Sequence, residues 1–339
     1  MKVAVVPAGQ WGTTLGYLLA QNGHRVDLWV RRPEEADEWR RTGRLEARLA
    51  GVPLPRNVSV GTEMRETLRG ASMVIFAPAA RALREVLREA GADVEPRAVL
   101  VSACKSLEPE SKLRMSQVIE AELPRHAGRV VAISGPNFAA EVARGLPAAT
   151  VAASPDLRLA EEVQGALMTP RFRVYTNPDI AGVELGGALK NIIAIAVGVA
   201  EGLGLGHNTG AALITRGLAE IARLGTALDA NPLTFSGLSG LGDLVLTCTG
   251  DLSRNRQLGL AIGRGGDVRR LVENPTVVVE GVRTTRAARL LGHELEVPLP
   301  ITEELHRVLF EGRDPREGVW SLMGRSRTHE IEEVSGGRP

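Results

Sequence analysis

The sequence predicts a doubly wound parallel α/β sheet followed by an all-α domain. From residue 1 to about 177, short apolar runs alternate with amphipathic helical stretches. This is the rhythm of strands buried on both faces of a parallel sheet, with helices crossing between them. After Thr176-Asn177-Pro178-Asp179 the strand signals nearly vanish and helical runs follow. At 339 residues the chain can form two cores. The expected domains are 1–177 and 178–325. A polar, Gly-rich tail at 326–339 shows no periodicity and is expected to be disordered.

The elements follow in order. Residues 2–6 form a continuous apolar run, as a two-sided buried strand requires. A helix is expected over 11–22, with Leu15, Leu18 and Leu19 on one face and Gly23 as its stop. Further strands are expected at 25–30, 73–77, 98–102, 130–133, 150–153 and 171–175. Helical segments separate most of them, such as 79–90 with Leu83, Val86, Leu87 and Ala90 on one face. The second half reads as helices at 180–202, 211–224, 241–247, 254–262, 282–291 and 302–310.

Composition narrows the function classes. Hydrophobic content of 44% and charged content of 24% suit an ordinary globular protein, and a net charge of +1 supplies no field for nucleic acid or acidic membranes. Aromatic residues make up 3%, too few for a base-stacking platform. Cys104 and Cys248 stand far apart, and the six histidines show no paired metal-ligand spacing. A reducing compartment without a structural metal is expected. The apolar run before Pro7 is too short for a signal-peptide core, so a cytoplasmic location is expected.

The most informative stretch is 183–196. From Leu185 to Ala200 the sole charged side chain is Lys190, followed by Asn191. The run reads as a buried helix, too short and too soon interrupted by charge to cross a membrane. A lysine inside such a helix loses hydration, which lowers its pKa toward the range of proton exchange near neutral pH. The alternative is a lysine that extends its ammonium to water.

The first strand leads through Pro7-Ala8-Gly9-Gln10-Trp11-Gly12 into a helix, the context of a Rossmann-type dinucleotide fingerprint. Gly9 would let the backbone approach a pyrophosphate, Gly12 would allow close helix–strand packing, and the free N–H groups of the helix would take the phosphates. Proline stands where the first glycine is usual. At the end of the second strand, Arg31 and Arg32 follow Val30 where NAD-specific sites carry a carboxylate. Two arginines there suit the 2′-phosphate of NADP, with Arg32 expected to make the contact because it precedes the turn at Pro33. The alternative is a solvated pair before Pro33-Glu34-Glu35.

These residues resemble the bacterial NAD(P)-dependent glycerol-3-phosphate dehydrogenases from residue 2 to about 322. The resembling segments are 8–13, Ser134-Gly135-Pro136-Asn137-Phe138-Ala139 with 141–145, 183–191 and 212–217. They continue with 237–243, Leu252-Ser253-Arg254-Asn255-Arg256 and Val279-Glu280-Gly281-Val282-Arg283-Thr284. The resemblance implies a second domain like the C-terminal domain of 6-phosphogluconate dehydrogenase. It implies reversible reduction of dihydroxyacetone phosphate to sn-glycerol 3-phosphate with NADPH or NADH, no metal, and a homodimer. In cells the family supplies the phospholipid backbone.

By carry-over, Lys190 is the general acid/base and Lys105 contacts substrate and coenzyme. Gly135, Asp243, Ser253, Arg254 and Asn255 would hold substrate. Gln10, Trp11, Gly135, Asn137, Ala139, Arg254, Val279 and Glu280 would line the coenzyme. The chemistry agrees: carbonyl reduction places negative charge on oxygen, which a proton-donating ammonium stabilises. Ser253 reads as an N-cap that sets free N–H groups and Arg254 where a phosphate monoester would bind. Asp243 reads as a partner for Lys190 or a substrate hydroxyl, or else as a helix cap. Departures include Pro7, Ala77-Pro78-Ala79 and the Cys104 and Ser106 that flank Lys105, where threonine and glycine are usual. Asn137 stands where Ser or Thr is common, and Gly210 where a basic residue is usual. The competing readings are a ketopantoate-type reductase, which would bind a carboxylate, and a non-catalytic nucleotide-sensing module.

Overall fold

The computed structural model describes residues 1–45, 48–49, 51–274 and 278–327. The tail from 328 lies outside the described residues. The chain divides into two compact units: Met1–Cys104 with Met115–Ile180, and Lys105–Arg114 with the chain from Ala181 onward. The second unit thus takes a ten-residue excursion from within the first 177 residues, which a single boundary in sequence does not anticipate.

Unit 1 is an eight-stranded sheet in the order β3-β2-β1-β4-β5-β6-β7-β8. Its strands are β1 Lys2–Val6, β2 Arg25–Trp29, β3 Val58–Gly61, β4 Met73–Phe76, β5 Val99–Ser102, β6 Val130–Ser134, β7 Ala148–Ala153 and β8 Phe172–Asn177. The helices are α1 Gln10–Gln21, α2 Pro33–Thr42, α3 Met64–Leu68, α4 Leu83–Ala90, α5 Met115–Glu122, α6 Ala139–Ala143 and α7 Leu157–Leu167. β1 pairs in parallel with both β2 and β4, Val3 lying opposite Val26 and Met73. The strand order therefore reverses at β1, where open α/β sheets bind ligands beyond the strand C-termini. Val3, Val5, Leu15, Leu19 and Leu28 are fully buried and join α1 to the sheet.

Three features differ from the sequence reading. β3 has four residues at the sheet edge with alternating burial, too short to register as an apolar run. β7 runs antiparallel to β6. The stretch 135–147 between them holds one short helix, Ala139–Ala143, and the chain turns back without a full crossover. The expected helix at 79–90 opens as a 3₁₀ turn, Ala80–Ala82, before α4.

Unit 2 is helical: α8 Ile180–Gly202, α9 Gly206–Ala227, α10 Asp243–Thr249, α11 Arg254–Gly263, α12 Val268–Val272, α13 Glu280–Glu294, α14 Pro300–Phe310 and α15 Pro315–Met323. α12 and α15 go unmarked in the sequence reading, and a π turn at Leu238–Gly242 precedes α10. At 23 residues α8 is long and apolar enough to span a bilayer, contrary to the length argument made from sequence. Its most apolar window is instead 83% buried inside the protein. Leu185, Leu189, Ile192, Ile193 and Ile195 form the centre of that core, with Leu107 from the excursion.

α8 and α11 meet backbone to backbone. A Cβ on Gly198 would lie 2.2 Å from the Arg256 carbonyl oxygen, and one on Gly259 2.0 Å from that of Ile195. This approach brings the first turn of α11 beside the middle of α8, where the charged residue sits.

Candidate active site

In unit 1, Gly9 caps α1 in an extended conformation with no side-chain bond to the helix. The N–H groups that open the first turn, at Gln10, Trp11 and Gly12, have no intrahelical acceptor by helix geometry. Gly12 packs so closely that a Cβ would sit 2.7 Å from the Pro7 carbonyl oxygen and 3.2 Å from the Ala77 Cβ. Gly9 donates its N–H to the same Pro7 oxygen at 2.9 Å, so the turn closes with proline in it.

Gly135 adopts φ +153°, where an added Cβ would meet the Thr150 backbone at 2.9 Å. Asn137 donates its amide to Ala149 O at 2.9 Å, while its Oδ1 is buried without a partner. The buried Trp11 Nε1 likewise lacks an acceptor, and the ring packs edge-on against Phe172. Ala139 opens α6 and faces α1, its carbonyl 3.5 Å from the donating Thr14 hydroxyl. Free helix N–H groups and these two polar orphans fit a dinucleotide laid along this edge.

Arg31 and Arg32 differ in their partners. Arg32 precedes α2 and bonds the buried carboxylate of Glu35, which Arg48 also contacts at 2.8 Å. Arg31 is exposed, lies 3.9 Å from the equally exposed Glu85, and sits over the Trp29 ring at 6.0 Å.

In unit 2 the residues singled out from sequence come together. Lys190 does not reach water: it is 6% exposed and donates to Asp243 Oδ1 and, at 2.7 Å, to the Thr247 hydroxyl. Lys105 donates to the other oxygen, Asp243 Oδ2, at 2.8 Å. One carboxylate, 1% exposed, therefore holds two ammonium groups that stand 85 residues apart in sequence. Burial is the chief cause that lowers the Lys190 pKa to about 8, aided by the Lys105 charge and opposed by Asp243. The same burial pushes the Cys248 thiol up to about 12, which makes it inert. Asp243 is the first residue of α10, so the ion-pair reading, not a cap, describes its side chain.

Ser253 caps α11 as the pattern predicts, its oxygen accepting from the Arg256 N–H at 3.2 Å. Arg256 is taken by Glu201 and Asp251. Arg254 is exposed, and among the described residues no carboxylate pairs with it. Asn255 donates to Asn191 Oδ1 at 2.9 Å and accepts from the Gly281 N–H at 3.0 Å. Val279 and Glu280 lie at the N-terminus of α13.

Thr247 and Asn191 escaped the sequence reading. Thr247 follows Asp243 by four residues on one helix and so shares its face. Asn191 adjoins Lys190 and donates to the Lys105 carbonyl at 3.1 Å. Among the described residues no group of three or more His, Cys, Asp or Glu side chains is placed to hold a metal ion.

The comparisons with known proteins follow the same two halves. Residues 2–160 match the family model described as NAD-dependent glycerol-3-phosphate dehydrogenase N-terminus, and 179–319 the model described as its C-terminus. The glycerol-3-phosphate dehydrogenase (NAD(P)+) of Symbiobacterium thermophilum is 53% identical over 336 residues, covering 99% of this chain and 97% of that protein. Its counterpart in Bacillus subtilis is 47% identical over 334 residues, covering 98% and 97%. The crystal structure of the Coxiella burnetii glycerol-3-phosphate dehydrogenase superposes with a TM-score of 0.89 at 36% identity, over 96% of this chain and 99% of that one. A ketopantoate reductase from Ralstonia eutropha reaches a TM-score of 0.56 at 16% identity over 94% of this chain and 100% of that one, and shares the fold alone.

Proposed function

The chain belongs to the NAD-dependent glycerol-3-phosphate dehydrogenase family, and from that premise we propose that it interconverts dihydroxyacetone phosphate and sn-glycerol 3-phosphate. Unit 1 binds the coenzyme and unit 2 carries the substrate and the proton chemistry. The observation that carries this reading is the buried Lys190–Asp243–Lys105 cluster with Thr247 on the Lys190 nitrogen.

The turn at Gly9–Gly12, with Trp11 and Asn137, would hold the coenzyme, NADPH or NADH, which when bound would supply the hydride for C2 of the substrate. Lys190 gives a proton from Nζ to the C2 oxygen as negative charge develops there, and in the oxidative direction its neutral amine takes that proton back. Asp243 and Thr247 hold Nζ in place, and burial, which lowers the amine to about 8, lets both protonation states exist near neutral pH. Lys105 adds a second positive charge beside the same carboxylate. Arg254 and the first N–H groups of α11 take the phosphate, a charge-assisted contact on a helix N-terminus. In cells the product serves glycerophospholipid synthesis, and the enzyme works in the cytoplasm as a homodimer.

The test is NADPH oxidation with dihydroxyacetone phosphate, with ketopantoate and without substrate. Turnover confined to dihydroxyacetone phosphate supports the proposal. Preference for ketopantoate would move the chain to the carboxylate-binding reductases, and silence with both would leave a nucleotide-sensing module.

A further inference from the structure

Lys105 is held by more than its ion pair. Its carbonyl accepts from Asn191 Nδ2 at 3.1 Å, Asn191 Oδ1 accepts from Asn255 Nδ2 at 2.9 Å, and Asn255 Oδ1 accepts from the Gly281 N–H at 3.0 Å. The two ends of that chain fix its direction. A backbone N–H can only donate and a carbonyl only accept, so both amides have one allowed orientation.

The next residue, Ser106, returns to the same place by another route. Its hydroxyl lies 3.0 Å from Thr284 Oγ1, and Thr284 donates to the Glu280 carbonyl at 3.0 Å. Each hydroxyl has one proton and a carbonyl within reach, Glu280 for Thr284 at 3.0 Å and Leu107 for Ser106 at 3.3 Å. One of the two therefore donates to the other while its partner keeps its carbonyl. Both hydroxyl residues are buried, at 2% and 0% exposure, where water does not replace a lost bond.

The two routes form a closed ring: Lys105, Asn191, Asn255, Gly281, Glu280, Thr284, Ser106 and back to Lys105. Gly281 is packed into it, since a Cβ there would lie 2.7 Å from both Asn191 O and Asn255 Oδ1. Asn255 thereby satisfies one of the orphan N–H groups that open α13. Within the ring Asn255 acts as a positioning residue through one amide N–H and one oxygen lone pair, and its second N–H is compatible with the substrate contact expected of it.

We propose that this ring fixes Lys105 to the first turn of α13 through Ser106, Thr284 and Asn255, so that coenzyme held at Val279–Glu280 strengthens substrate binding at Lys105. The inference rests on the site assignment of the preceding section. If bound coenzyme holds the first turn of α13 in the arrangement that the ring transmits to Lys105, the two ligands are coupled, and the coupling is reciprocal. A glycine at position 106 would remove the second route.

The experiment measures the dissociation constant of sn-glycerol 3-phosphate by calorimetry, with and without saturating NADPH, a pair that cannot react. For the wild type the ratio of the two constants is expected in the usual coupling range, roughly five- to 150-fold. Ser106→Ala and Thr284→Val should each reduce the ratio about three- to tenfold, the worth of one buried hydrogen bond. Thr284→Ser, which keeps the hydroxyl, should retain it. The double variant should be no worse than either single one, because both remove the same bond.

An unchanged ratio in folded variants, or additive losses in the double variant, would overturn the proposal. A second measurement needs no ligand: amide exchange at Gly281 should accelerate in Ser106→Ala, and unchanged protection there also overturns it. Failure of the wild type to bind sn-glycerol 3-phosphate would instead overturn the functional assignment, while the Gly281 measurement still decides the ring.

Discussion

The coenzyme edge of unit 1 is made from backbone, whereas the lysine centre of unit 2 is made from side chains. In the first, N–H groups at the start of α1 and the close approach of Gly12 to Pro7 define the surface. In the second, one carboxylate from α10 holds ammonium groups delivered by α8 and by the Lys105–Arg114 excursion. A backbone site tolerates changes of residue type as long as the turn still closes, and Pro7 shows that it does. A side-chain site has no such latitude, because its contacts are made by the residues' own atoms.

The sharpest break between the two regions is at Lys190. Lys190→Ala should lower kcat on the order of a hundredfold to ten-thousandfold, as loss of a positioned proton donor does, and leave the NADPH dissociation constant within about twofold of wild type. The pH profile provides the sign. With the amine lowered to about 8, the protonated form needed for ketone reduction is lost as pH rises through that value. The reductive rate should fall above it and the oxidative rate should rise toward a plateau. Retention of more than half the activity in the variant would remove Lys190 from the proton step.

The reciprocal break is Gly12→Ala. The added methyl meets backbone, which cannot swing aside, and overpacking of this kind costs about 1–3 kcal/mol. Binding of NADPH and NADH should weaken together, roughly five- to 150-fold if the strain falls on the binding turn. The pH dependence of the chemical step should stay in place. A variant that shifts the pH profile would show that the two regions are not independent.

Arg254→Ala tests the proposed phosphate contact. Losing a charged contact costs roughly 1.5–3 kcal/mol, so KM for dihydroxyacetone phosphate should rise on the order of ten- to a hundredfold. Unphosphorylated dihydroxyacetone should be nearly unaffected. Equal damage to both substrates would rule out a phosphate contact.

How far each region was legible follows from the same contrast. The strand–turn–helix around Gly9 and Gly12 is contiguous, so sequence shows it whole, as do the α8 run and the Ser253 cap. The geometry around Lys190 draws on positions 105, 190, 243 and 247; the four-residue step joins 243 to 247 on one helix, but no spacing rule connects that pair to 105 or 190. A lone charge in an apolar helix marked the residue and Asp243 was read as a possible partner, but Thr247 and the shared hold on Lys105 appear only once α10 and the excursion are in place. Edge strand β3 is too short for an apolar run, and the reversal of β7 depends on how the chain leaves β6. Both are decided by tertiary packing.

The smallest effect concerns coenzyme choice, at a place where the largely backbone-made edge adds charged side chains. Arg31 and Arg32 both follow β2, and sequence favoured Arg32 as the contact for a 2′-phosphate. Its guanidinium, however, is engaged with the buried Glu35, which Arg48 shares, so turning to a phosphate means leaving that carboxylate. Arg31 pairs loosely with an exposed Glu85 at 3.9 Å, a contact worth little in water, and can leave it readily. Arg31→Ala should therefore lower kcat/KM for NADPH by a factor of about three to ten while leaving NADH unchanged, and Arg32→Ala should do less. The Arg31 effect should shrink as salt rises from 0.05 to 0.5 M (about 14 to 4 Å of Debye length), because an exposed ionic contact is screened. Catalytic efficiencies for both coenzymes at the two salt levels decide the matter. A larger loss in Arg32→Ala would return the phosphate to that residue, and an unchanged coenzyme ratio in both would make the pair a solvated surface.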